Sequence, residues 1–358
     1  MLVKNTSRQS LMLVKAFTLT FLCLLLFTGS QDSTSSAEAA LKPINPNASD
    51  SSRQLLAFLS DISGEYLITG QHDYLESPDE QKNRLGKISG SMPGLHGYEL
   101  GAISNQSPTV AASQRKSVIH SAIQWSRSGG IVVMTYHQPL PGTAPTWKNV
   151  QRKISQAEFN AYVTPGTPQY QRLIRDLDQV AASLKTLKNA DVPVLWRPYH
   201  EMNGGWFWWG EKDNFDALWG IMYDRFVNVH QLDNLLWVWN PNAPNAYSLD
   251  YETFFPGKAK VDILAADIYE HDFKQSYYQE LLALAGGKPI AIGENGGLPS
   301  PEVLKNQPKW VYSMTWGSSL TQDNSTTEIR TYMSQSKTLT LPQLVEKMKQ
   351  HRESERKR

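Results

Sequence analysis

Residues 194–210 read VLWRPYHEMNGGWFWWG. An apolar stretch runs into Arg197, Pro198, Tyr199, His200 and Glu201. Two glycines then let the backbone turn sharply, and Trp206, Phe207, Trp208 and Trp209 follow at once. Four consecutive aromatics are too many for one face of a helix or strand. Some must leave the core, and an exposed ring beside a carboxylate suits the C–H face of a sugar. A local core beneath the loop is the competing reading. A second segment, PIAIGENGG at 289–297, delivers Glu294 to the end of a short apolar strand, with glycines clearing space around it. In isolation this could be a surface glutamate in a Gly-rich turn. Together, two carboxylates at two strand ends are the parts needed for glycoside hydrolysis. One protonates the leaving oxygen, and the other attacks the anomeric carbon or activates water. Glu294, held by its strand, suits the nucleophile. Glu201 lies where a loop and aromatics exclude water and raise its pKa, as a general acid requires.

Other chemistries fail on inventory. His200-Glu201 has no second His at the zinc-protease spacing, and no Ser sits in G-x-S-x-G. The histidines do not cluster at metal-ligand spacing, so neither a metal site nor a cofactor is expected. Gly286-Gly287-Lys288 continues into Pro289, which rules out a phosphate loop, and no G-x-G-x-x-G occurs.

The elements that must position these residues follow a rhythm. Short apolar stretches at 66–69, 95–100, 131–136, 194–197, 235–239, 263–267, 290–292 and 311–315 read as strands. Helix-compatible stretches separate them, such as 171–187, where Leu173, Ile174, Leu177, Val180, Ala181 and Leu184 recur at helical spacing. Eight strands alternating with helices predict an α/β chain folded as a single (β/α)8 TIM barrel. A doubly wound open sheet is the alternative. Polar or aromatic residues close or follow every strand: Gln71, His72 and Asp73; Glu99; His137; His200 and Glu201; Asn240; Asp267 and Tyr269; Glu294; Trp316. In a barrel these converge on one mouth, where active sites sit.

Composition bounds the rest. Among 358 residues, 35 Lys+Arg face 34 Asp+Glu, which excludes a strongly basic nucleic-acid binder. With 40% hydrophobic and 19% charged residues the chain is not disordered. One cysteine, Cys23, excludes a disulfide framework. Eleven Trp, 15 Tyr and 11 Phe mean either a large core or a surface that stacks on something flat. Lys4, Arg8 and Lys15 precede an apolar stretch at 16–28, and Ala37-Glu38-Ala39 offers a cleavage point. Residues 1–39 therefore read as a signal peptide, with an uncleaved anchor as the alternative. The expected protein is secreted or periplasmic, without stable membrane association after cleavage, and monomeric. A short polar segment follows at 40–50, the barrel fills 51–345, and a charged tail closes the chain at 346–358.

The two motifs resemble those of glycoside hydrolase family 26, best known for endo-β-1,4-mannanases, and the resemblance runs from about Gly70 to 339–344. It implies a (β/α)8 barrel and double displacement with retention, with Glu201 as acid/base and Glu294 as nucleophile. It further implies substrate-binding roles for His137, His200, Trp206, Asp267, Tyr269 and Trp316, with Tyr269 hydrogen-bonded to the nucleophile. The implied partner is a polysaccharide, most naturally β-mannan. Two departures bear on sugar subsites. Tyr136-His137-Gln138-Pro139 stands where many of these mannanases have Trp-His followed by Asn-Pro, and Gly317 stands where many have a basic residue. The family also holds mixed-linkage β-glucanases and β-1,3-xylanases, and a non-catalytic carbohydrate-binding barrel is a further alternative.

Overall fold

The computed structural model describes residues 41–357. The signal-peptide reading of 1–39 lies outside them. Eight parallel strands follow one another around a closed barrel: β1 (Leu67–Asp73), β2 (Leu95–Glu99), β3 (Ile131–Tyr136), β4 (Val194–Pro198), β5 (Leu235–Trp239), β6 (Ile263–Ile268), β7 (Ile290–Asn295) and β8 (Trp310–Thr315). β8 pairs with β1 through Thr69↔Ser313 and closes the ring. The chain is thus a (β/α)8 barrel. A ninth strand, β9 (Thr338–Leu339), pairs with Leu67 and Ile68 at the start of β1, before β2 takes over at Gly70↔Leu95. No helix among the described residues is long and apolar enough to cross a membrane.

The core follows the period-two rule of strands. Val133, Leu195, Leu236, Val238, Ile263, Ala265 and Ala291 belong to one apolar cluster inside the barrel. Their neighbours Val132, Met134, Val194, Trp196, Trp237 and Trp239 belong to another, packed against the surrounding helices. Helix Asp50–Asp61, capped by Ser49, adds Leu55, Leu56, Phe58 and Leu59 to the inner cluster. The helix predicted at 171–187 spans Pro168–Asn189 and buries Leu173, Leu177, Val180, Ala181 and Leu184 as its spacing requires. Beyond the apolar layers the same parity continues with polar residues. Counting by twos brings His72, Glu99, His137, Arg197, Asn240 and Asp267 to the inward side at the C-terminal ends of their strands.

Strand β7 would break that count. Its register with β6 runs Ala266↔Ile292 and then Asp267↔Glu294, so Gly293 is an extra, bulged residue. The bulge re-aims Glu294 inward, a common use of bulges beside active sites. Only glycine fits there, because a Cβ at 293 would run into Oδ1 of Asn240.

Candidate active site

The C-terminal mouth of the barrel holds a buried charge network centred on Arg197. Its guanidinium donates from Nη1 to Glu294 Oε1 (2.7 Å), from Nη2 to Asp267 Oδ2 (2.5 Å) and from Nε to Asn240 Oδ1 (2.5 Å). Asn240 Nδ2 donates in turn to the other Asp267 oxygen at 2.9 Å. Burial opposes the charge on Arg197, but Asp267 and Glu294 hold its pKa above the ordinary value. A buried guanidinium is tolerable only when paired and hydrogen-bonded in this way. The second oxygen of Glu294 accepts from the Tyr269 hydroxyl at 2.7 Å. Burial and the Glu294 charge hold Tyr269 well above the usual phenol value, so it keeps its hydrogen and donates it. Glu294 is therefore gripped on both oxygens, one by a cation and one by a neutral donor.

Glu201 has a different environment. It sits just past β4, with φ at +55°, and Tyr199 two residues earlier is at +47°. Two bulky residues in the left-handed region store strain on the order of 1–3 kcal/mol each. The Glu201 N–H donates to Asn240 O at 2.7 Å and helps hold this turn. The carboxyl accepts one hydrogen bond, from Trp206 Nε1 to Oε2 at 2.6 Å. Burial first, and the Glu294 charge second, push its pKa up to about 7. One oxygen each from Glu201, Asp267 and Glu294 lie within 4.8 Å of one another. Such a trio could serve as metal ligands, but here Arg197 already supplies their counter-charge.

On the other side of Glu294 stand two buried histidines. His137 Nδ1 meets Glu99 Oε2 at 2.7 Å, and its Nε2 meets His200 Nε2 at 3.0 Å. Two facing ring nitrogens can share only one hydrogen. Burial and the Arg197 charge hold His200 well below the ordinary imidazole value, so that ring is neutral. Its Nε2 is 4.0 Å from Glu294 Oε1. Trp316 is half-buried and stacks on the buried His72, centroids 4.2 Å apart at 25°. It also lies 5.4 Å from His137. Trp147, half-buried on helix Trp147–Val150, extends this aromatic wall 5.5 Å from His137.

Of the 206–209 run, where some rings are expected to leave the core, one does, and the rest fit the competing reading of a local core beneath the loop. Only Trp206 is partly exposed; Phe207, Trp208 and Trp209 are buried. Trp208 and Trp209 donate their indole N–H groups to the carbonyls of Gln138 and His200, and Phe207 stacks on Trp209 at 4.5 Å. They form a floor under the turn that carries Glu201, tied to it through the His200 carbonyl. Asp267 is also enclosed: it is fully buried and both oxygens are engaged by Arg197 and Asn240. Its carboxyl group is engaged in positioning Arg197.

The arrangement unites one rigidly held carboxylate, one proton-bearing carboxyl and an aromatic-lined opening. Comparison with known proteins gives this a family. The profile of glycosyl hydrolase family 26 matches residues 44–341. The chain belongs to that family. A mannan endo-1,4-beta-mannosidase of Thermothelomyces thermophilus is 33% identical over 317 residues, covering 84% of this chain and 62% of the relative. One from Bacillus subtilis is 31% identical, covering 78% of this chain and 83% of the relative. The chain spans about half the length of two such enzymes of Piromyces sp, 52% and 50%. Among solved structures, GH26A from Muricauda sp. MAR_2010_75 is 41% identical with a TM-score of 0.80, covering 84% of this chain and 99% of that one.

Within this family 26 site, sequence reading passed over Arg197 as a functional residue and did not consider Trp147. Arg197 was findable by parity: it lies two residues past Leu195, so it must enter the barrel interior. Trp147 carried no signal, being a lone aromatic at the start of a four-residue helix. The departure at Gly317 has a structural counterpart. Its φ is +45°, and a Cβ there would run into the Tyr74 ring. The Tyr74 hydroxyl accepts from Ser318 N at 3.1 Å. In this chain Tyr74 occupies the space beside Trp316 that a longer residue at 317 would need.

Proposed function

We propose that this protein is a retaining endo-β-1,4-mannosidase that cleaves internal bonds of mannan-type polysaccharides by double displacement. Glu294 is the nucleophile, and Glu201 is the acid in the first step and the base in the second. The observation that carries the reading is the pairing of Glu201 and Glu294, with oxygens within 4.8 Å, in opposite electrostatic settings. That closeness favours the short separation of retaining enzymes, roughly 5–5.5 Å between carboxyl groups, over the roughly 6.5–9.5 Å of inverting ones. Glu294 is paired with the Arg197 guanidinium at 2.7 Å, while Glu201 retains a proton to about pH 7. A carboxylate paired with a cation suits the nucleophile, and a carboxyl with a raised pKa suits the acid.

The sugar under attack packs on Trp316, with His137 and His200 behind it and Trp206 beside the cleavage point. Attack by Glu294 expels the leaving oxygen, which takes the Glu201 proton. Glu201, now a carboxylate, removes a proton from the water that frees the sugar. The near-neutral charge of the chain suits a neutral polysaccharide bound by stacking and hydrogen bonds. The mannosidase activity of the relatives supports mannan as substrate. Sugar release from β-1,4-mannan, lichenan and β-1,3-xylan, measured side by side, tests this. Mannan should be hydrolysed fastest; preference for either other glycan would replace the substrate while keeping the mechanism.

A pH profile tests the acid. The free enzyme needs protonated Glu201, so kcat/KM on mannan is expected to fall as pH rises through about 7. The Trp206 N–H stabilises the ionised form of Glu201 and so lowers its pKa. Trp206→Phe removes that donor, and the basic limb is expected to move to higher pH. A limb that stays put or moves down would separate Trp206 from the acid.

A further inference from the structure

We propose that Tyr247 is the platform of a sugar subsite on the leaving-group side of the cleavage point, taking one hexose unit of the departing chain. This rests on the glycosidase reading and deepens it. Tyr247 is 81% exposed, more than any other large hydrophobic residue described. A ring this open on a loose loop would mean little, but the loop is pinned. Tyr247 N–H donates to Asn245 Oδ1 at 2.8 Å. Ser248 Oγ donates to Ala243 O at 2.9 Å and accepts from Asn242 Nδ2 at 3.0 Å. Asn203 Nδ2 donates to the carbonyls of Asn242 and Leu249 at 2.8 and 2.7 Å, and Gly204 bridges Ser248. Gly204 N–H in turn donates to Glu201 O at 3.0 Å. The backbone that carries the ring is therefore fixed relative to the turn bearing Glu201, and a sugar landing there need not order the loop.

Tyr247 lines a cavity of about 300 Å³ whose inner wall includes Asp267 and Tyr269. The Tyr269 hydroxyl, which donates to Glu294, links this wall to the reacting carboxylate. Asn245 and Glu270 on its rim offer polar groups for sugar hydroxyls. Barrel order gives the direction. Trp316 follows β8, His72 lies near the end of β1 and His137 follows β3, whereas this cavity lies at the ends of β5 and β6, across the mouth. A chain whose attacked sugar packs on Trp316 must send its leaving group toward Tyr247.

The test compares wild type, Tyr247→Ala and Tyr247→Phe on mannohexaose and on 4-nitrophenyl β-mannobioside, whose leaving group contains no sugar. The expected result for Tyr247→Ala is a roughly tenfold fall in kcat/KM on mannohexaose, about 1.4 kcal/mol. Tyr247→Phe should stay near wild type, and all three should hydrolyse the aryl glycoside alike. Glycosyl transfer to added mannotriose should fall in parallel in Tyr247→Ala, because the acceptor uses the same platform. Unchanged kcat/KM on mannohexaose, or equal losses on both substrates, would overturn the subsite. Failure of the wild type to cleave either compound would overturn the reading of the enzyme itself, a result distinct from any difference among the variants.

Discussion

Replacing Glu294 by Ala is expected to abolish turnover, lowering kcat on mannan and on aryl mannosides alike by roughly ten-thousand-fold or more, as for other catalytic groups that act as a unit. Both substrate types need the nucleophile, whatever their leaving group. The fold should survive, because Asp267 and Asn240 still pair Arg197. A second readout separates a missing nucleophile from a damaged site. The space vacated beside Arg197 can admit azide. Azide should then restore cleavage of an activated aryl β-mannobioside, displacing the phenolate to yield the α-glycosyl azide, because it attacks from the face Glu294 occupied. Residual activity within tenfold of wild type on either substrate would remove Glu294 from the nucleophile's role.

Replacing Glu201 by Ala is expected to divide the substrates. Mannan has a poor leaving group that must be protonated, and its turnover should fall by about 10³-fold, within the 10²–10⁴ range of acid–base catalysis. A 2,4-dinitrophenyl mannobioside leaves without a proton, so its first step should stay within about tenfold of wild type. The second step still needs a base to activate water. The glycosyl-enzyme should therefore accumulate and appear as a burst of dinitrophenol followed by slow release. The elevated pKa of Glu201, about 7, arises from burial and from Glu294, and it leaves this carboxyl a proton to give below that pH. Equal losses on both substrates, without a burst, would contradict the assignment.

The order of strands was legible because apolar runs in a barrel are short and regularly spaced. Their ends were less so. The expected strands at 66–69 and 290–292 stop where the apolar run stops, while β1 continues to Asp73 and β7 to Asn295. The mouth end of the barrel interior is lined by polar side chains, and hydrophobicity cannot mark strand residues there. Both candidate catalytic carboxylates were visible because each comes at the end of an apolar run, with glycines beside Glu294 and a Gly-Gly pair soon after Glu201. The inward turn of Glu294 was not visible, since it depends on one bulged residue, Gly293, that shifts the count by one. The aromatic run misled for a definite reason. Its rings were counted against a single face, whereas in the compact turn Trp208 and Trp209 point into separate pockets of the same core, at 90° to each other. Arg197 was legible by parity but carries no motif of its own. β9 and the pinned ring of Tyr247 depend on contacts between segments distant in sequence, which periodicity does not register.

Retention at the anomeric carbon is the central claim, and the anomer of the first product tests it most directly. Proton NMR of mannohexaose hydrolysis, recorded in the first minutes before mutarotation, reads which reducing-end anomer forms first. Two displacements, by Glu294 and then by water, should give the β-anomer first, with the α-anomer appearing only as mutarotation proceeds. The α-anomer forming first would mean a single inverting displacement by water and would contradict the roles assigned to Glu201 and Glu294.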